Sequence, residues 1–170
     1  MDTIILTLRD YQTSDIDRLV TLANNKRVSQ YLVDTFPFPY SKADAEFWVS
    51  EGASAHGNIN KVILLDDVFV GSVGIKPQQG WKSHCAEIGY WLAEEYWGQG
   101  IATEALKMMT RNAFNDHGVQ KLFATVLAPN CASMRVLEKA GYTQEGLLRR
   151  DVIKNGQYYD VHHYAKLASP

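Results

Sequence analysis

Between Ala86 and Leu92 the chain crosses from polar to fully apolar and loses the alternation of a surface strand. The segment therefore reads as a strand buried on both faces, central in its sheet. It continues through Ala93-Glu94-Glu95-Tyr96-Trp97 into Gly98-Gln99-Gly100, after which the apolar period becomes helical, with Ala102, Ala105, Leu106, Met109 and Ala113 on one stripe. A central strand that feeds a glycine turn and then an amphipathic helix confines the chain to a mixed α/β architecture. It also gathers unpaired backbone N–H groups and the positive end of a helix dipole at one point, which suits an anion such as a pyrophosphate. Gly98 and Gly100 let the main chain approach that anion where a side chain would obstruct it.

The flanking segments extend the plan. Ile4 to Leu8 alternates as a first strand, and Ser14 with Asp17 forms a capping pair ahead of Ile16, Leu19, Val20 and Ala23 at helical spacing. A short second helix fits Arg27 to Val33. The prolines of Thr35-Phe36-Pro37-Phe38-Pro39-Tyr40 force an aromatic loop. Ser41 with Asp44 then opens a third helix that runs to about Ala55. After Gly57, Lys61 to Leu65 and Phe69 to Ile75 read as a hairpin closed by Asp66-Asp67. Downstream come a strand from Lys121 to Leu127, a helix from Ala132 to Ala140, and a long strand from Tyr142 to Ile153. Asn155-Gly156 turns the chain back into a last strand from Gln157 to Leu167. With no linker or internal repeat, residues 1–170 read as one domain: helices first, then an antiparallel meander, then alternating strands and helices.

Composition removes several classes of function. Lys and Arg number 17 against 19 acidic residues, a net charge of -2, which argues against duplex nucleic acid as a partner. No apolar run approaches the roughly 18 residues of a membrane span. Met1-Asp2-Thr3 carries no basic leader, so the expectation is a soluble, cytoplasmic chain with no membrane partner. Cys85 and Cys131 have no CxxC spacing and read as reduced thiols, and no metal site is expected. The glycine turn is not a P-loop, because Ala102-Thr103 replaces the Lys-Ser/Thr pair. Nor does it complete a dinucleotide fingerprint: Thr103 takes the third glycine's place, and no acid ends the next strand at Leu127-Ala128-Pro129-Asn130.

The turn does resemble motif A of the GNAT acetyltransferases, Gln/Arg-x-x-Gly-x-Gly/Ala, with Trp97, Gly100 and Ala102 in its three places. Ala86-Glu87-Ile88-Gly89-Tyr90-Trp91-Leu92, Trp97-Gly98-Gln99-Gly100 and Thr103-Glu104-Ala105 are similar to one branch, the ribosomal-protein alanine N-acetyltransferases. Asn130-Cys131-Ala132-Ser133 followed by Val136-Leu137-Glu138-Lys139-Ala140-Gly141-Tyr142 resembles that branch's motif B. Glu145-Gly146 and Gly156-Gln157-Tyr158-Tyr159-Asp160 resemble its C-terminal hairpin.

The resemblance implies a mostly antiparallel sheet flanked by helices, splayed between two parallel strands, with acetyl-CoA as co-substrate in the gap. Its pantetheine contacts would fall on Tyr90, Trp91 and Leu92, and its pyrophosphate on Gly98, Gln99, Gly100, Ile101, Ala102 and Thr103, with Asn130 reaching in from the next helix. Leu137 stands where many members carry a tyrosine that protonates the leaving thiolate. Ser133 is the nearest substitute, with water or CoA itself as alternatives. Glu87 is the candidate base and His84 the runner-up.

Tyr31, Phe36, Phe38, Tyr40, Trp81, Tyr158 and Tyr159 are candidates to line the amine acceptor. His162-His163 are not expected to hold a metal. The implied acceptor is a protein N-terminal α-amine, with a polyamine or aminoglycoside as the alternative amine, and a CoA-binding module without catalysis as the alternative class. The chain would act as a monomer or homodimer.

Overall fold

The structure, a computed structural model, describes residues 4–170. Met1-Asp2-Thr3, read for its lack of a basic leader, lies outside the described residues. In chain order the elements are β1 (Leu6–Arg9), α1 (Ile16–Ala23), α2 (Lys26–Ser29), α3 (Lys42–Ser50), β2 (Ile59–Leu65), β3 (Val68–Pro77), β4 (Cys85–Leu92), α4 (Ile101–Asp116), β5 (Lys121–Leu127), α5 (Cys131–Lys139), β6 (Thr143–Lys154) and β7 (Gln157–Leu167). The strands form one sheet in the order β1-β2-β3-β4-β5-β7-β6, antiparallel throughout except for β4 against β5. The apolar run from Ala86 to Leu92 is the middle strand, as its lost alternation predicts. Asp66 and Asp67, at φ 47° and 64°, and Asn155 and Gly156, at 51° and 76°, close the two tight hairpins with the left-handed pairs that match strand twist.

β4 and β5 pair only at Cys85↔Lys121, Ala86↔Leu122 and Glu87↔Phe123. Beyond that point β4 stays with β3 as far as Leu92, and β5 stays with β7 as far as Leu127. The two parallel strands are thus drawn apart by their outer partners, and a cleft opens between their C-terminal halves.

Strand alternation gives the sheet two apolar faces. Ala86, Ile88, Leu92, Leu122 and Val126 pack with Leu106 and Met109 of α4 and Leu137 of α5. Val62, Leu64 and Phe69 pack on the other face with Leu19 and Leu22 of α1 and Ala45 of α3. Leu106 and Met109 are fully buried, each contributing about 1.5–3 kcal/mol, so α4 is pinned directly behind the glycine turn.

Strand ends differ by one or two residues from the sequence expectation, and the first three helices differ in a way that the contacts explain. α1 is led not by a Ser14–Asp17 pair but by Asp15, whose carboxylate accepts the Gln12 N–H at 2.7 Å and both Arg9 guanidinium nitrogens at 2.7 and 2.8 Å. Arg9, at the end of β1, draws that carboxylate inward and shifts the helix start. α2 stops at Ser29 instead of Val33, because Lys154 donates to the carbonyls of Ser29 and Leu32 and fixes the chain in a turn there. α3 stops at Ser50. A tight helical segment, Gly52–Gly57, then takes the chain to β2, with His56 in the left-handed region at φ 57°.

Candidate active site

The cleft is lined first by main chain. Ala93 N–H donates to Val70 O at 2.9 Å and Gln78 N–H to Cys85 O at 3.0 Å, so odd-numbered residues of β4 bond to β3. By antiparallel alternation the N–H and C=O groups of Ile88, Tyr90 and Leu92 point the other way, into the space β5 has left. Trp97 Nε1 donates to Leu92 O at 2.7 Å, which takes one of these groups. Of the three residues expected to meet the pantetheine, Tyr90 and Leu92 offer main-chain groups to the cleft. Trp91 turns its own toward Ser72 of β3 and presents its indole to the opposite face.

At the cleft's mouth Gly98 and Gly100 adopt φ 72° and 78°, with no atom within 4 Å of where a Cβ would sit at either. Glycine is needed there for its left-handed backbone, and the space beside it stays open. Glu104 N–H bonds to Gly100 O at 3.2 Å, leaving the N–H groups of Ile101, Ala102 and Thr103 without helical partners. Their side chains are buried, so the surface they offer is backbone. The Gln99 amide is turned onto Glu95 O at 3.1 Å. Unpaired donors, an open glycine cradle and the dipole of α4 fit a pyrophosphate-bearing co-substrate.

On the α5 side, Asn130 caps the helix by accepting Ser133 N–H at 3.3 Å. Tyr90 O–H donates to Ser133 Oγ at 3.3 Å, and burial pushes the Tyr90 phenol above its ordinary value. Leu137 is core. Tyr90 enters the sequence reading for its main chain. Its hydroxyl is a further candidate group, and the signal for it is period two: Tyr90 shares a face with Ile88 and Leu92, toward α5.

The opposite face carries Glu87, which accepts Thr125 Oγ–H at 3.1 Å. Phe123 stacks on His163 with centroids 5.2 Å apart and planes 13° apart. Phe36 packs against Trp91 at 5.6 Å and against Tyr40 at 5.3 Å, so the aromatic loop reaches β4. Tyr40 is buried, Tyr31 partly buried and Phe38 exposed beside them. Lys154 ties the tip of the β6–β7 hairpin to Ser29, Leu32 and Asp34, while exposed Tyr158, paired with Ile153, lies on the other face of the hairpin from Lys154.

Two candidates are not brought to the opening. Trp81, fully exposed in the turn Gly80–Lys82, and His84 lie where β4 enters the sheet, the end at which β4 and β5 are still paired. His162 is engaged with Gln144 at 2.9 Å. Glu94, Glu95 and Glu104 pair with Arg27, Arg18 and Lys107. No group of His, Cys, Asp or Glu among the described residues could hold a metal ion, and no described helix is long and apolar enough to cross a membrane.

The sequence pattern described as "Acetyltransferase (GNAT) domain" matches residues 6–143. The chain belongs to the GNAT acetyltransferases. Its GNAT relatives include the spermidine N(1)-acetyltransferase of Vibrio cholerae, 25% identical over 158 residues, covering 92% of this chain and 89% of that one. Among solved GNAT structures, Mycobacterium smegmatis RimJ in complex with CoA-disulfide has a TM-score of 0.86 and 28% identity, covering 98% of this chain and 88% of that one. RimL, a ribosomal L7/L12 alpha-N-protein acetyltransferase in complex with coenzyme A, has a TM-score of 0.85 and 25% identity, covering 97% and 98%. The chain is thus a GNAT N-acetyltransferase, with acetyl-CoA as co-substrate and an amine as acceptor, and it is similar to RimJ and RimL.

Proposed function

We propose that this GNAT enzyme acetylates the α-amine of a protein N-terminus. One observation carries the reading: three carboxylates near the acceptor side, Asp34, Asp44 and Glu94, are already engaged, which leaves Glu46 of α3 as a thin case for a polycation. Asp34 faces Lys154 at 3.9 Å, Asp44 is held in the cap of α3 by Ser41 at 2.6 and 2.7 Å, and Glu94 pairs with Arg27. A polycation such as spermidine needs free carboxylates, whereas a peptide needs an apolar wall and one site for its amine. Phe36, Tyr40 and Trp91 supply the wall. An α-amine near pKa 8 lacks only about 1.4 kcal/mol of being neutral at pH 7, against about 4.6 kcal/mol for a lysine-like amine. The similarity to RimL, a ribosomal L7/L12 alpha-N-protein acetyltransferase, supports the same acceptor.

Acetyl-CoA, when bound, supplies a thioester carbonyl to be attacked by the neutral amine. In this reading Ile88, Tyr90 and Leu92 hold the pantetheine by main chain, while Gly98 to Thr103 hold the phosphates and Asn130 reaches in from α5. Trp91 N–H faces β3, so the donor to the developing oxyanion is the N–H of Tyr90 or Leu92. Glu87 receives the acceptor's proton. Ser133 Oγ–H donates to the leaving sulfur and takes a proton in turn from Tyr90 O–H, and the Tyr90 oxygen, with its pKa raised by burial, takes a proton back from water.

Thiol release from acetyl-CoA across N-terminal peptides, polyamines and aminoglycosides tests this. The expected outcome is turnover on peptides with a free α-amine. In E87Q the rate should fall roughly 100-fold near pH 7 and recover as the pH rises past the amine's pKa. An unchanged pH profile in E87Q removes Glu87 from the reaction.

A further inference from the structure

We propose that His163 is the proton-accepting end of a row, Glu87 to Thr125 to His163, that crosses β4, β5 and β7 on the acceptor face; it rests on the acetyl-transfer reading above. Ala128 N–H donates to Asp160 O and Ala168 N–H to Gln120 O, both at 2.9 Å, which fixes the hydrogen-bonded pairs of β5 and β7. Thr125 and His163, partners in the register, therefore form a non-hydrogen-bonded pair, the kind whose Cα atoms lie about 4.5 Å apart with side chains closest. Thr125 already donates to Glu87, and its register partner on β7 is His163, so the three side chains lie in one row on this face.

Phe123 is the register partner of Glu87, and its ring lies flat on His163, holding the imidazole in the row. The charges around His163 are few. Glu87 faces it from β4, while Lys121 of β5 and Glu145 of β6 are paired with each other at 2.7 Å. Its partner on β6 is Gly146, which adds no charge.

The row answers a mismatch of acidity. Moving a proton from an α-amine near 8 to an ordinary carboxylate near 4.3 is unfavourable about 5,000-fold, but to an ordinary imidazole near 6.5 only about 30-fold. The ammonium N–H bond breaks and a carboxyl O–H forms on Glu87. Once protonated, Glu87 donates to Thr125 Oγ, the Thr125 O–H turns from Glu87 toward the imidazole, and the carboxyl proton passes to Oγ as the threonine's own proton passes to the imidazole nitrogen. Glu87 is thereby returned as a carboxylate, Thr125 as a hydroxyl, and the imidazolium sheds its proton to water. Thr125 acts as a positioning residue between the two.

The test pairs kinetics with NMR titration of His163 in the full chain. With an α-amine peptide, H163Q is expected to lower kcat/KM about 10- to 100-fold near pH 7, with recovery near pH 9 where the amine is already neutral. T125V should give the same pH-dependent loss, and T125S should restore it. In the titration, the His163 midpoint should fall when Glu87 is replaced in E87Q. An H163Q profile parallel to wild type, or a His163 midpoint indifferent to E87Q, overturns the row. If no amine is acetylated at all, the acetyl-transfer reading fails, while the titration still decides whether Glu87 and His163 form one unit.

Discussion

Tyr90 faces the cleft by its backbone and Ser133 by its hydroxyl, and the two contacts separate by mutation. Y90F keeps the main chain and removes only the O–H that backs Ser133. The expected outcome is a kcat roughly 10-fold lower with KM for acetyl-CoA unchanged, read by steady-state kinetics. The sequence motif points to Tyr90 because the backbone pattern is family-wide. The hydroxyl's partner is a contact between distant parts of the chain, which spacing does not encode. Trp97 is similar: the motif's usual Gln or Arg is absent, and only the fold reveals that its indole N–H bonds to Leu92 O. Glu87 was legible as a candidate from its place on β4. Thr125 and His163 beside it depend on the register of β5 with β7.

The elements around the cleft give two further tests. Gly98 and Gly100 have left-handed backbones, so alanine at either costs about 1–2 kcal/mol in strain. G100A should raise KM for acetyl-CoA with little change in kcat, because the cradle is displaced and the acceptor face is not.

At the other edge, Arg9 ties β1 to the turn before α1 through Asp15. Burial alone would raise this carboxyl, but the paired guanidinium and the Gln12 N–H outweigh it and hold it below the ordinary value. A depressed folded pKa stabilises above the unfolded value of about 3.9 and is lost as the pH falls through the folded value. D15N should therefore cost about 2 kcal/mol in urea melts at neutral pH, and the difference from wild type should shrink below about pH 4. Strands were the most legible elements, since period two survives burial on one face. Helix ends were the least legible, because Asp15 and Lys154 set them from elsewhere in the chain.

Across the whole molecule, the sheet presents two differently covered faces. α4 and α5 cover the face toward which Tyr90 projects, with Ser133 beside it, while α1, α3 and the aromatic loop cover part of the face that carries Trp91. The splay between β4 and β5 opens a gap between the two sides. A net charge of -2 is compatible with an anionic co-substrate because the turn from Gly98 to Thr103 offers backbone donors instead of basic side chains. The order of elements made this architecture readable in outline. It could not place Trp81, whose loop looks adjacent to β4 in sequence but joins it at the closed end of the gap. A strand contributes to an open cleft only at one end, and which end depends on its parallel partner.

The central claim is that the acceptor is an α-amine. The direct measurement is a competition at equal concentrations between spermidine and a peptide with a free N-terminus and blocked lysines, with acetylated products counted by mass spectrometry. The account predicts acetyl on the peptide's α-amine at least about 10-fold faster than on spermidine. Preferential acetylation of spermidine would contradict it.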